Sequence, residues 1–432
     1  MSENPYPIGH EKTPAMSILE QTLDPASSGK VELRRSLSLA LITFYGLGTI
    51  LGAGIYVLVG KVAGMAGMYA PLSFVLAAIT AALSAFTYME LCSRYPLAGG
   101  AAVYAQQGIG LRWLSILVGL LIVLSGLVSA ATISRGFVGY FRVFFEIPEV
   151  LIIIGAVTAL ALLAAWGIAQ SVVAAAVATV IEVGGLLLII GVAYASFGAL
   201  PERLPELVPP FEFAAWQGIF LGGFLAFYAF IGFEDMVNVA EEVKNPKRNL
   251  PRAILLAIVI STILYLAVSL AAVLVLPLER LSASEAPLAL MFEQSTGASP
   301  KVMASISLFA VINGALIQII MAARMLYGMS REGWLPKGIG KINPRTQTPV
   351  VATILVSLAV LVLALTVPLV TLAKVTSFAV LAVFAIISLA LIRMKRAGPP
   401  SANTYTVPAW VPYASMLSSL ALLGLQVLTL LG

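Results

Sequence analysis

The stretch LITFYGLGTILGAGIYVLVG, residues 41–60, decides the fold of this chain. It is apolar enough to cross a bilayer, yet Gly46, Gly48, Gly52 and Gly54 sit at its centre. Glycine lacks the Cβ that restricts the backbone and forgoes about 1 kcal/mol of helix propensity relative to alanine, so this cluster marks a place where a spanning helix unwinds. A second stretch five spans later, FLAFYAFIGFEDMVNVAEE at 224–242, is interrupted at Gly232 and followed at once by Glu234 and Asp235. Unwound backbone is tolerated at membrane depth only where it lines a cavity. Two such breaks in corresponding halves of a chain point to a substrate site near the bilayer midplane.

Composition sets the class around these breaks. Hydrophobic residues make up 60% of the 432 and charged residues only 10%, with a mean hydropathy of +1.00, against about 45–50% apolar and about 25% charged in soluble domains. The reading is an all-α polytopic membrane protein. The longest polar stretch is the segment to about residue 35, with Pro5, Pro7, Pro14 and Pro25 among Ser, Glu and Lys. It has no apolar h-region or small-residue cleavage site and reads as a disordered, uncleaved cytoplasmic leader.

A solitary Cys92 and a solitary His10 exclude an intrachain disulfide, a Cys or His metal cluster and a histidine base within the membrane. The pI near 9.2 raises the question of nucleic acid. No basic face interleaved with aromatics supports that partner, and the Lys and Arg are scattered among short loops.

Apolar windows of about 20 residues fall at 37–59, 69–91, 112–134, 148–168, 171–198, 214–240, 253–277, 302–329, 349–367, 371–393 and 408–431, giving eleven expected spans. With the N-terminus inside, 18 of the 25 Lys and Arg residues lie on the cytoplasmic side, as the positive-inside rule requires. Eleven spans then put Gly432 outside. The narrowest connection is the fourth, where only Gly167 to Gln170 are available for a turn.

Nucleotide motifs do not account for the glycines. GLGTILGAG lacks the GxGxxG spacing and no strand precedes it, while Gly60-Lys61 is not a P-loop because Ile55 and Val62 stand at required Gly and Ser/Thr positions. Any transport is therefore secondary. Close packing of the small-xxx-small kind suits Gly48 with Gly52, but it leaves the second break and its acids unexplained.

A broken helix offers free N–H groups and a positive dipole end to a carboxylate, and free carbonyls to a cation. A zwitterion satisfies both. Breaks at Ile50–Gly54 and Phe230–Gly232 are thus expected to hold an α-amino acid by its backbone, with Thr49, Ile50, Gly52, Ala53, Gly54, Ile231 and Gly232 around it. Tyr228, Phe230 and Phe233 are the candidates for the side-chain pocket.

The strings GTILGAGIY (48–56), YMELCSRYPLAGGAAVYAQQGIG (88–110), FYAFIGFEDMVNVAEEVKNPKRNLPRAI (227–254) and RMLYGMSREGWLPK (324–337), in this order, carry a resemblance. From about residue 33 to 396 the chain resembles amino acid permeases of the amino acid, polyamine and organocation (APC) superfamily, of bacterial or archaeal type. The resemblance implies a LeuT-like fold of two inverted five-helix repeats with helices one and six broken. It also implies a ten-helix core at 36–396, with 397–432 forming a loop and an eleventh helix. The substrate carboxylate would meet the amides around Ala53 and Gly54, and its ammonium the carbonyls of Ile50, Tyr228 and Ile231.

Two departures stand out. Most relatives have twelve spans, whereas eleven are expected here. Sodium-independent relatives carry a lysine on helix five, fifteen residues after the glycine of a G-x-x-x-S start; counted from Gly167 with Ser171, that position is Glu182. Glu182 is accordingly the first candidate for proton coupling, since a charge at mid-span costs at least about 2.5–3.5 kcal/mol, and Glu234 is the second. Glu90, Arg94, Glu241, Arg324 and Arg331 are candidates for cytoplasmic gating or helix-end contacts, and Asn313 and Gln318 for interhelical hydrogen bonds.

The expected function is an amino acid transporter of the plasma membrane, not an enzyme, working without cofactor or metal by alternating access. Proton symport or exchange is expected, independent of sodium. Its partners would be a small amino acid, protons and the bilayer, with no nucleic acid. A polyamine or amine carrier of the same fold, a transport-inactive sensor and a membrane acyltransferase are the alternatives; the Gly52-Ala53-Gly54 amides speak against the first and the lack of an intramembrane histidine against the last.

Overall fold

The structure, a computed structural model, describes residues 35–431 apart from 98, 167–171, 332 and 402. The expected leader, the turn at Gly167–Gln170 with Ser171, and Gly432 lie outside the described residues. Within them the chain is helical, with one isolated β-bridge between Leu37 and Val243.

The first glycine-rich stretch forms two helices, α1 (Leu39–Leu51) and α2 (Ala53–Ala66), divided at Gly52 where ψ swings to −144°. Ser38 caps α1 by accepting the Leu41 N–H at 3.4 Å, the role short polar side chains play at helix starts. There follow α3 (Ala70–Arg94), α4 (Gly100–Ile109), α5 (Arg112–Phe141), α6 (Glu149–Trp166) and α7 (Val172–Val192). The second interrupted stretch begins as α8 (Phe213–Phe227), tightens to a 3-10 turn at Tyr228–Phe230, passes through extended Ile231 and Gly232, and resumes as 3-10 turns over Phe233–Glu242. Gly232 has φ of +129°, a conformation that only glycine adopts freely. Beyond it lie α9 (Pro246–Val275), α10 (Leu278–Ala283), α11 (Pro287–Thr296), α12 (Lys301–Arg331), α13 (Val350–Thr366), α14 (Leu369–Ala397) and α15 (Trp410–Leu431).

Over the described residues each of the eleven apolar windows is mainly helical, the first interrupted at Gly52 and the sixth at Ile231–Gly232. Among the described residues, eight helical runs are long and apolar enough to cross a membrane, the first being the run Leu39–Arg94 that holds α1, α2 and α3; Ala176–Val192 and Val350–Thr366 are shorter apolar helices. Most residues of α1 and α2 are buried, so the broken helix sits within the bundle, whereas α6 exposes Val150, Leu151, Ile154 and Leu162.

The core is built from small residues that let helices approach. On α9, packed against α3 and α1, Ala253, Ala257, Ser261, Ala271 and Ala272 are all buried. α12 and α14 both lie on α5, where Gly126 fits against Ala322 and Gln318. The chain just before α1 pairs with the end of the second broken element: Leu37 N–H donates to Glu242 O at 3.0 Å and Lys244 N–H to Leu37 O at 2.9 Å.

Candidate functional site

The two breaks face each other and are tied together. Thr49 hydroxyl lies 2.9 Å from the carbonyls of both Gly46 and Gly232. A Cβ at Gly54 would overlap the Cα of Ala229, and one at Gly232 would overlap the carbonyl of Thr49. These glycines are thus needed for the approach of the two elements. Tyr265 of α9 joins them from the side, its buried hydroxyl 2.7 Å from Ile50 O and 2.9 Å from Ala229 O. One proton serves two carbonyls, so acceptor capacity remains at the breaks.

Amides at the second break are engaged as well. Glu234 turns back so that its Oε2 accepts the Gly232 N–H at 2.8 Å, an acid placed where a helical segment begins. The carbonyl of Gly232 accepts the Asp235 N–H at 3.1 Å, and that of Tyr228 the Ile231 N–H at 3.3 Å.

A crevice opens between the breaks. Thr49, Ile50, Gly52, Gly54, Tyr228 and Ile231 line it from one side. Ser129 and Ile133 of α5 and Gly314 and Gln318 of α12 close the other. About 20 Å³ of it is open to the centre of a water-sized sphere, space for about one water and less than any amino acid needs. Occupancy therefore requires the walls to part. Ser129, Ile231 and Gln318 also line a neighbouring void of about 30 Å³ with Glu234, Asp235 and Tyr88.

Of the residues expected at the site, these six reach the crevice. Gly232 sits at the second break, and Ala53 opens α2 just past the first. Phe230 and Phe233 point elsewhere: Phe230 packs edge-on against Tyr265 at 5.0 Å, and Phe233 against Tyr88 at 5.7 Å and Phe384 at 5.2 Å. Beside Tyr228, whose hydroxyl is 2.9 Å from Ser129 Oγ, the crevice is lined by Ser129, Ile133 and Ile317. The run SGLVSAATIS at 125–134 carried a signal for this lining, being small and polar inside a span. Tyr265 and Tyr88 gave none, because only the fold brings them to the breaks.

Glu182 lies on α7, fully buried. Its Oε1 accepts from Asn313 Nδ2 of α12 at 3.1 Å, while Oε2 has no hydrogen-bond partner among the described residues. Its backbone carbonyl accepts from Tyr56 of α2 at 2.6 Å. The backbone of α7 at Glu182 is thus tied to one half of the first broken helix, while its carboxyl is held from α12. Gln318, the other expected hydrogen-bonding residue, reaches Asp235 at 3.4 Å.

Among the gating candidates, Glu90 is the most committed. Arg94 Nε and Nη2 donate to its Oε1 at 2.9 and 2.6 Å, and Lys395 Nζ and the Val407 N–H approach Oε2 at 2.7 and 2.8 Å. It fastens α3 to α14 and to the segment before α15. Arg331 stays on its own helix, its guanidinium 5.9 Å from the Tyr327 ring. Arg324 is exposed, and Glu241 lies half-buried at the end of the 3-10 turns.

Comparison with known proteins agrees with this architecture. The sequence model of a family described as amino acid permease matches residues 37–430. The branched-chain amino acid permease BcaP of Bacillus subtilis (strain 168) is 30% identical over 416 residues, covering 90% of this chain and 87% of that one. The methylthioribose transporter of the same strain is 29% identical over 428 residues, covering 92% and 89%. The vacuolar cationic amino acid transporter 4 of Arabidopsis thaliana is 31% identical over 420 residues, covering 91% and 67%. The chain belongs to the amino acid permease family, and it is a multi-pass membrane transporter rather than an enzyme.

Proposed function

We propose that this chain moves amino acids across the plasma membrane by alternating access, with protons as the coupling ion and without sodium. The observation that carries the reading is the meeting of two helix breaks, at Gly52 and at Ile231–Gly232, across a buried crevice. Free amides of α2 suit a carboxylate and the carbonyls beside Ile50 and Ile231 suit an ammonium, so the α-amino acid backbone is the group recognised. In this reading the ten helices from α1/α2 to α14 form two inverted five-helix repeats, α15 is an eleventh crossing, and α1 starts from the cytoplasmic side.

Glu182 is the proposed proton carrier. It occupies an apolar span with a single side-chain hydrogen bond and touches α2 through Tyr56. A group that binds a proton when open to one side and releases it to the other biases which way the site faces only through differential contacts with the two states. The hydrogen bond from Asn313 of α12 to Oε1 is such a contact, because its acceptor is the carboxyl that gains or loses the proton. Glu182→Gln keeps the shape of the neutral acid, so in proteoliposomes it should retain substrate exchange and lose accumulation driven by a pH gradient. Undiminished accumulation would refute Glu182 and leave Glu234. The relatives named for branched-chain and cationic amino acids set the substrates to try first.

A further inference from the structure

Away from the crevice, a large cavity of about 1030 Å³ opens at the start of α9. Arg35, Lys247, Arg248 and Arg252 line it, together with the phenol-bearing Tyr405, and no acid is among its lining residues. All four cations are exposed, and none forms an ion pair among the described residues. Four positive charges converge on a cleft whose described lining holds no acid, and a cleft lined by one sign of charge concentrates the opposite sign.

The rest of the cavity wall says what kind of anion. Leu255 belongs to the lining, and Val259 and Ile263 continue below it at four-residue intervals, all three exposed on one face of α9 at 38%, 44% and 62%. Residues four apart on a helix stand one above another. An apolar stripe thus runs from the cationic cleft down a helix long enough to span a bilayer. A phosphate held by the arginines would have its acyl chains laid along that stripe. A free phosphate would have no use for it.

We infer that this cleft is a binding site for the phosphate headgroup of an anionic phospholipid, its chains lying against Leu255, Val259 and Ile263. Basic pockets at the ends of spanning helices recognise such headgroups, each Lys or Arg adding about 1 kcal/mol near the surface. The site is separate from the crevice and independent of which amino acid is carried. Lipid bound there would fasten Arg35, just before α1, to the first turns of α9, next to the Leu37–Val243 bridge.

The test is equilibrium binding of phosphatidylglycerol to the full-length purified protein in non-ionic detergent, with phosphatidylcholine and excess inorganic phosphate as competitors. Expected is one saturable phosphatidylglycerol that neither competitor displaces. The double variant Arg248→Gln/Arg252→Gln should weaken it roughly 30-fold, whereas Arg112→Gln, an exposed arginine outside the cleft, should leave it unchanged. Equal binding by the double variant overturns the proposal. So does an equal loss in the Arg112 variant, which would mean diffuse surface charge, or displacement by inorganic phosphate, which would mean a soluble anion. Amino acid binding by the same double variant reports that the protein is folded.

Discussion

Removing one oxygen from Tyr265 should unsettle both helix breaks at once. Its hydroxyl is 0% exposed with its ring and lies between Ile50 O and Ala229 O, so Tyr265→Phe leaves two buried carbonyls to share no donor. An acceptor stranded in this way costs about 1–3 kcal/mol. Tyr88 provides the control, for it is 1% exposed and its hydroxyl has no partner among the described residues. Tyr88→Phe removes the same atom and no hydrogen bond, so it should be neutral or slightly stabilising. Thermal unfolding of the two variants in the same detergent, at one scan rate because such unfolding is irreversible, reads the difference directly. Tyr265→Phe should melt clearly below the parent and Tyr88→Phe at or above it. Equal shifts would refute the claim that Tyr265 holds the carbonyls of the breaks.

Other substitutions separate packing from binding. Gly54→Ala drives a methyl into Ala229 and should cost about 1–3 kcal/mol by overpacking, seen as a lower melting midpoint. Gly52→Ala meets nothing nearer than Gly314 Cα at 3.9 Å; it should fold normally and weaken substrate binding by filling the crevice. Glu90→Gln removes the counter-charge of Arg94 and Lys395, which are 10% and 18% exposed, and should cost about 3 kcal/mol, the low end for a broken buried pair. Hydrogen exchange should then quicken at Tyr405 and Val407 before it does so in α3.

The elements that position the site were readable because their causes are local. Glycines at 46–54 and at 232 mark breaks by what they cost a helix, and each apolar window is mainly helical over the described residues. The first break is narrower than the sequence suggested: only Gly52 leaves the helical path, with Thr49 bonded to the carbonyls of Gly46 and Gly232 and Tyr265 to that of Ile50. Beyond the second break, the run FEDMVNVAEE gave no sign that it would wind as 3-10 turns rather than an α-helix. Its buried residues Phe233, Met236, Val237 and Ala240 keep α-helical spacing, so their burial does not account for the tighter winding. Phe230 and Phe233, expected at a side-chain pocket, do not line the crevice, since aromatic residues next to a break satisfy a pocket and a core equally well. Tyr88, Phe384 and Tyr265, remote in sequence, claim both for the core. Glu90 was visible as a helix-end acid, but Lys395 and Val407, some three hundred residues away, were not visible as its partners.

The central claim is that the breaks recognise the α-carboxylate and α-ammonium of an amino acid. Thermal stabilisation of the purified protein by each of the twenty amino acids, followed by the methyl ester of the best one, tests it most directly, because a ligand of the folded state raises stability with its concentration. The account predicts that at least one free amino acid stabilises the protein and that its ester, matched in side chain and lacking the carboxylate, does so far less. Equal stabilisation by acid and ester would contradict the carboxylate site at α2 and leave an amine as the cargo.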